Sequence, residues 1–519
     1  MDFDFVIKIV MLVLFFGVMI GVGIYCRKNA TDVSGFVLGG RSVGPWLTAF
    51  AYGTSYFSAV IFIGYAGQFG WKFGIASTWI GIGNALIGSF LAWAILGRRT
   101  RIMTQHLNSA TMPEFFGKRF NSNGLKIGAS IITFVFLIPY TASLYNGLSR
   151  LFSKAFNIDY VWCIIAMSVL TGIYVIAGGY MATAINDFIQ GIIMIFGIIA
   201  VIVAVLMNQG GFMEALNGLA KVPSETPGAY NSFFGPDPLN LLGVVILTSL
   251  GTWGLPQMVQ KFYAIKHERD IRKGMVISTA FAIIVAGGCY FLGGFGRLFG
   301  DFVETDAKGG VVFDSIIPNM LDNSNLPAIL MAIVVILVLS ASMSTLSSLV
   351  IASSSTLTID LLKGNIIKKM NEKKQVLIIR IFVVVFIAIS AFIAIYQTQS
   401  KNESVKFIAQ LMGVSWGALA GAFLAPFLYG LYWKKTTKLA CWVSFIFGAG
   451  IMLLNLFARS IFPPLLQSPI NCGALAMIAG LIIVPVVSLL TPKPDKKLVD
   501  DAFACYEKQV PAKQKNSLD

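Results

Sequence analysis

Ala341, Ser344 and Thr345 sit at spacings of three and four within the apolar run LSASMSTLSSLVIASSSTLT (339–358). On a helix that spacing puts all three on one face. Two hydroxyls and a main-chain carbonyl are neutral, hard oxygen donors, the type a small hard cation such as Na+ accepts. Eleven of the nineteen residues from Ser340 to Thr358 carry a hydroxyl, and most are expected to bond back to the preceding turn or to allow close packing. Ser344 and Thr345 are set apart because a broken helix is expected opposite them.

That break lies in AYGTSYFSAVIFIG (51–64), where Gly53 precedes Thr54, Ser55, Tyr56 and Ser58. A second lies in SLGTWGLPQ (249–257), where Gly251, Gly254 and Pro256 cluster well inside an apolar run. Interrupted backbone at membrane depth needs protein cover or a polar cavity, and paired breaks in two halves of a chain point to a transporter binding site. Asp187, in TAINDFIQG, is the clearest acidic residue among the spans. An intramembrane carboxylate suggests an ion pathway, against the alternative of an interfacial helix cap. No fixed positive charge is expected in the spans that face the breaks.

The elements that must hold these residues follow from composition. Of 519 residues 56% are hydrophobic and 12% charged, against roughly 25% charged in soluble domains, and mean hydropathy is +0.77. The chain reads as an all-α polytopic membrane protein of about thirteen transmembrane helices: 5–26, 46–69, 75–97, 127–152, 160–179, 183–207, 238–260, 274–296, 326–358, 377–396, 407–433, 439–458 and 470–491. Asp2 and Asp4 precede the first span while Arg27 and Lys28 follow it, which is the reverse of a cleavable signal and places the N-terminus outside. With alternating loops, twenty-eight of the 39 basic residues fall on the cytoplasmic side and nine outside, as the positive-inside rule requires. The C-terminus is then cytoplasmic, in the cell membrane.

The net charge of +15 is therefore largely topological and needs no nucleic-acid partner. The lysine run Lys368, Lys369, Lys373 and Lys374 reads as a solvated loop. Six scattered cysteines and two histidines offer no disulfide frame or transition-metal centre. No P-loop is present, no paired carboxylates or nucleophile–base set marks an enzyme, and no catalytic residue or cofactor is expected. Segments 46–207 and 208–433 form two five-helix repeats, inverted because five is odd. They are flanked by a first helix and loop (1–45), two C-terminal helices (434–491) and a tail (492–519).

Four segments carry a resemblance: FVLGGRSVGPWLTAFAYGTSYFSA (36–59), YVIAGGYMATAINDFIQG (174–191), LSASMSTLSSLVIASSSTLTIDLL (339–362) and APFLYGLYWKK (425–435). They resemble the sodium:solute symporter family, and the similarity runs from about residue 5 to 490. The resemblance implies a LeuT-type 5+5 inverted-repeat core and Na+-driven uptake of a small solute by alternating access. It implies a sodium site of the main-chain oxygens of Thr54, Phe57 and Ala341 with the hydroxyls of Ser344 and Thr345. It also implies an ion-exit role for Asp187 and a gating or coupling role for Arg41.

The substrate pocket departs from one branch of the family. Proline transporters carry an aspartate, in a Ser-Asp-Met-Ser context, where this chain has Tyr56. Their Trp and Tyr before the second break align with Thr248 and Thr252. SYFSAVIFIG and GLPQ are closer to the pantothenate and monocarboxylate branches. A small organic acid or amino acid is therefore expected between the breaks, against Ser55, Tyr56, Ser58, Trp253 and Gly254. The expected partners are that solute, Na+ and the bilayer, with the chain acting as a monomer. A passive facilitator or a membrane-embedded sensor is the alternative; the short tail leaves no room for a kinase.

Overall fold

The computed structural model describes residues 3–507 except 157, 306–308, 325, 364, 368 and 400–407. Lys308, Lys368, Lys401 and Lys406 of the charge tally, and the tail beyond Glu507, lie outside the described residues. Helices occupy most of the chain, and among the described residues the only β-pairing is three isolated bridges.

The helices that position the site are α1 (Phe3–Tyr25), α2 (Pro45–Tyr56), α3 (Val60–His106), α4 (Asn123–Phe156) and α5 (Tyr160–Asn208) in the first half. The second half supplies α6 (Pro238–Leu250), α7 (Pro256–Ala264), α8 (Asp270–Ala282), α9 (Ala328–Ser355) and α10 (Glu372–Gln399). It continues with α11 (Ile408–Tyr432), α12 (Lys438–Phe457), α13 (Pro469–Leu490) and a short terminal helix α14 (Lys496–Phe503).

Among the described residues, ten helices are long and apolar enough to cross a membrane, or eleven when the pair bent by 41° between Trp253 and Pro256 counts as one span. The expected thirteen differs because α3 and α5 run 47 and 49 residues, about twice the ~20 residues that one crossing needs. Within α5 the helix turns at Gly179, whose φ is +55°. That conformation suits glycine, and a Cβ there would stand 2.9 Å from the Phe36 carbonyl oxygen. The turn falls where the sequence separates the spans ending at 179 and starting at 183.

Both expected breaks are present. α2 stops at Tyr56, and Phe57 is extended (φ −84°, ψ 115°). Helical structure resumes at Val60. The second interruption is a short 3-10 turn at Gly251–Trp253. Leu255 is extended, and Pro256 stands in the first turn of α7, where its missing N–H costs nothing.

α9 runs through the interior, with every residue from Val334 to Ser355 buried except for a few percent of exposure at some side chains. It packs chiefly on α5 and α4, and also on α1, α2 and α10. A helix apolar all round belongs in such a position, and its small hydroxyl side chains let the neighbours approach. α11, α12 and α13 form a packed group against α4 and α6.

Candidate functional site

A helix leaves its last four carbonyls without intrahelical partners, so ending α2 at Tyr56 frees oxygens in mid-protein. Two of them turn toward α9. Thr345 Oγ1 lies 3.1 Å from the Thr54 carbonyl oxygen, 3.3 Å from that of Phe57 and 3.1 Å from that of Ala341. A hydroxyl has one proton to donate, so three converging acceptors exceed what it can satisfy. Ser344, the preceding residue, has a fully buried hydroxyl without a hydrogen-bond partner. Thr54, Phe57, Ala341 and Thr345 are thus brought together as an oxygen-rich and formally uncharged cage that fits a small monovalent cation, with Ser344 beside it in the chain and facing Asp187.

The other hydroxyls of α9 divide as their chemistry suggests. The Ser340 and Ser353 hydroxyls are buried without partners; Ser342, Ser347, Ser354, Ser355 and, just beyond α9, Thr358 bond to carbonyls three or four residues back. Ser348 does not. Its hydroxyl is 2.9 Å from Ser55 Oγ and accepts from Lys261 Nζ at 2.9 Å.

Lys261 corrects the sequence reading. The expected spans 238–260 and 274–296 leave it in the loop between them, with no fixed positive charge facing the breaks. The proline restart of α7 instead carries it inward, where it is 2% exposed. Its ammonium stands 3.8 Å from Asp187 Oδ2 and over the Tyr180 ring, 5.0 Å from the centroid. Asp187 is fully buried within α5. It is therefore not an interfacial cap, and its carboxylate faces Ser344.

On the other side of the α2 break, Tyr56 and Ser58 are buried with hydroxyls that lack partners. Ser55 Oγ also reaches the Ala51 carbonyl at 2.5 Å. Trp253 Nε1 donates to the Ile87 carbonyl of α3 at 3.0 Å. Gly254 faces α11, where a Cβ would stand 2.7 Å from Ala420 Cα. Thr248 bonds to the Val244 carbonyl and Thr252 to that of Gly88. Further buried polar groups without partners are Gln257, Tyr140, Tyr290 and Trp416; Tyr140 neighbours Ser58 and Trp416, and Tyr290 neighbours Tyr56. These four lie outside the residues that motif and spacing single out, although polar atoms on otherwise apolar spans mark them.

Arg41 adopts a left-handed backbone (φ +54°) that throws its side chain across the nearby loops. The guanidinium donates to the carbonyls of Tyr263 (3.1 Å), Thr104 (3.3 Å) and Ser109 (2.6 Å). Val43 pairs with Ile265 beside it. Burial, then the charge of Arg101, lowers the Arg41 side chain to about 10, so it remains cationic at neutral pH. One residue thus ties the C-terminal end of α7 to the segment after α3.

Residues 36–448 match the model of the Sodium:solute symporter family. The chain is 28% identical over 495 residues to the osmoregulated proline transporter OpuE of Bacillus subtilis, covering 94% of this chain and 96% of that protein. It is 29% identical over 497 residues to a sodium/proline symporter of Staphylococcus aureus, covering 94% and 93%. Among solved structures, a Na+-coupled sialic acid symporter in a substrate-bound outward-open state superposes with a TM-score of 0.75 at 17% identity, covering 94% of this chain and 99% of that one. The nucleobase-cation-symport-1 transporter Mhp1 superposes at 0.51 and 14% identity, covering 90% and 97%. At these identities the structures speak for the fold alone, which is the LeuT-type arrangement of helices around two broken spans. Sequence match, fold and oxygen cage agree: this chain belongs to the sodium:solute symporter family.

Proposed function

We propose that this protein imports a small amino acid or carboxylate together with Na+, the ion being held by Thr54, Phe57, Ala341, Ser344 and Thr345. The observation that carries this reading is the convergence of three carbonyls on the Thr345 hydroxyl, an excess of acceptors that a cation relieves. Ser55, Tyr56, Ser58, Trp253 and Gly254 line the solute path beside the breaks, joined by Gln257, Tyr140 and Trp416. Buried hydroxyls, an amide and an indole N–H without partners suit a solute bearing a carboxylate and a second polar group. Asp187 and Lys261 border the ion's route, and Arg41 closes the cytoplasmic end in a plasma-membrane protein with its N-terminus outside.

The relatives' names make proline the first solute to test, while the residues at Tyr56, Thr248 and Thr252 favour pantothenate or a monocarboxylate. The experiment is uptake of each into proteoliposomes. An inward Na+ gradient must drive accumulation above equilibrium, and dissipating the gradient must abolish it. Equilibration alone, insensitive to Na+, would overturn the proposal.

A further inference from the structure

The pair formed by Lys261 and Asp187 does more than neutralise a buried charge. Its two charged groups are 3.8 Å apart, too far for a direct hydrogen bond. The Ser344 hydroxyl faces the Asp187 carboxylate, and within ordinary hydrogen-bond distance neither group has another partner. Ser348 Oγ is held between Lys261 Nζ and Ser55 Oγ at 2.9 Å each. The Asp187 carboxylate and the Ser348 hydroxyl therefore flank the ammonium, and Ser344, next to Thr345 on α9, faces the same carboxylate. Each of these groups is an oxygen donor of the type that binds Na+.

We propose that the Lys261 ammonium is a tethered cation occupying an Asp187–Ser344–Ser348 site, and that it thereby keeps a second sodium ion out. It supplies the single positive charge that the Asp187 carboxylate needs, without an ion having to enter from either side. Coupling is then left to the one ion at Thr345. This inference rests on the sodium-symport reading of the Thr345 cage.

The test measures binding of radioactive sodium to the purified full-length protein, so it requires no knowledge of the solute. One sodium ion per chain is expected for the parent, two for Lys261→Gln, and one for Lys261→Gln combined with Asp187→Asn. One ion in both the parent and Lys261→Gln overturns the proposal, as do two in the parent. No sodium binding to the parent overturns the symport reading instead, so the two failures are distinguishable. Lys261→Gln leaves a buried carboxylate uncompensated and is expected to unfold early in choline chloride. Sodium chloride should restore its unfolding temperature more steeply than it raises that of the parent. An unstable variant that Na+ does not rescue also overturns the proposal.

Discussion

Thr345 Oγ1 and the Thr54 carbonyl oxygen lie 3.1 Å apart across 291 residues of chain. The contact exists because α2 ends early, freeing a carbonyl, and because α9 presents a hydroxyl at that level. Removing the hydroxyl should therefore weaken ion binding without opening the fold. Thr345→Ala is expected to raise the Na+ concentration for half-maximal uptake by at least about tenfold, since a lost ligand worth ~1.4 kcal/mol gives that factor. Thr345→Ser should stay near the parent value, and Ser344→Ala should fall between them. An unaltered sodium dependence in well-folded Thr345→Ala would remove these residues from the ion site.

Asp187 makes a different claim. Its carboxylate is completely buried and its nearest cation is Lys261, so Asp187→Asn strands an ammonium inside the protein. Breaking a buried pair from one side costs about 3–5 kcal/mol, which should appear as a lower unfolding temperature. Turnover should slow more than solute binding weakens if the carboxylate borders the ion's route, as proposed, and not the solute's. Adding Lys261→Gln should return much of the stability and little of the turnover. Full recovery of both would reduce the pair to a structural role.

The contrast between Thr345 and Lys261 shows what a sequence can disclose here. The face shared by Ala341 and Thr345 was legible because spacing of three and four on a helix is geometry, and both helix breaks announced themselves through glycine and proline. Lys261 was not legible. A lysine a few residues beyond an apolar run normally belongs to a loop, and only the restart of a helix at Pro256 turns it inward. Ser348 was concealed for a related reason, since nothing in its own segment distinguishes it from Ser347, which bonds to its own helix. Tyr140 and Trp416 sit on helices far from either break in sequence, so their relation to Ser58 is purely tertiary.

Arg41 joins the carbonyls of Thr104, Ser109 and Tyr263 with a planar, multiply donating group that lysine cannot imitate. Arg41→Gln and Arg41→Lys should both loosen the junction between α7 and the segment after α3. The expected result is a severalfold rise in sodium leak from proteoliposomes lacking solute, with the half-saturating Na+ concentration little changed. Because burial lowers the side chain only to about 10, its charge persists around neutrality, and the leak of the parent should be flat from about pH 6 to 8, the range in which an unperturbed histidine would change charge. A leak that rises with pH within that range would assign the closure to another group.

Tyr56 provides a test in which stability and affinity should move in opposite directions. Its hydroxyl is buried without a partner, a state that costs about 1–3 kcal/mol when nothing fills the vacancy. Tyr56→Phe deletes the orphaned oxygen and keeps the ring, so the solute-free protein should unfold at a higher temperature. If that oxygen meets the solute's polar group during transport, the same change should raise KM by roughly five- to tenfold, as loss of ~1–1.4 kcal/mol would require. Ser58→Ala should behave similarly, since its hydroxyl too is buried without a hydrogen-bond partner. A Tyr56→Phe protein that is less stable, with an unchanged KM, would mean the hydroxyl is satisfied in the resting state and that the solute is held elsewhere along the two breaks.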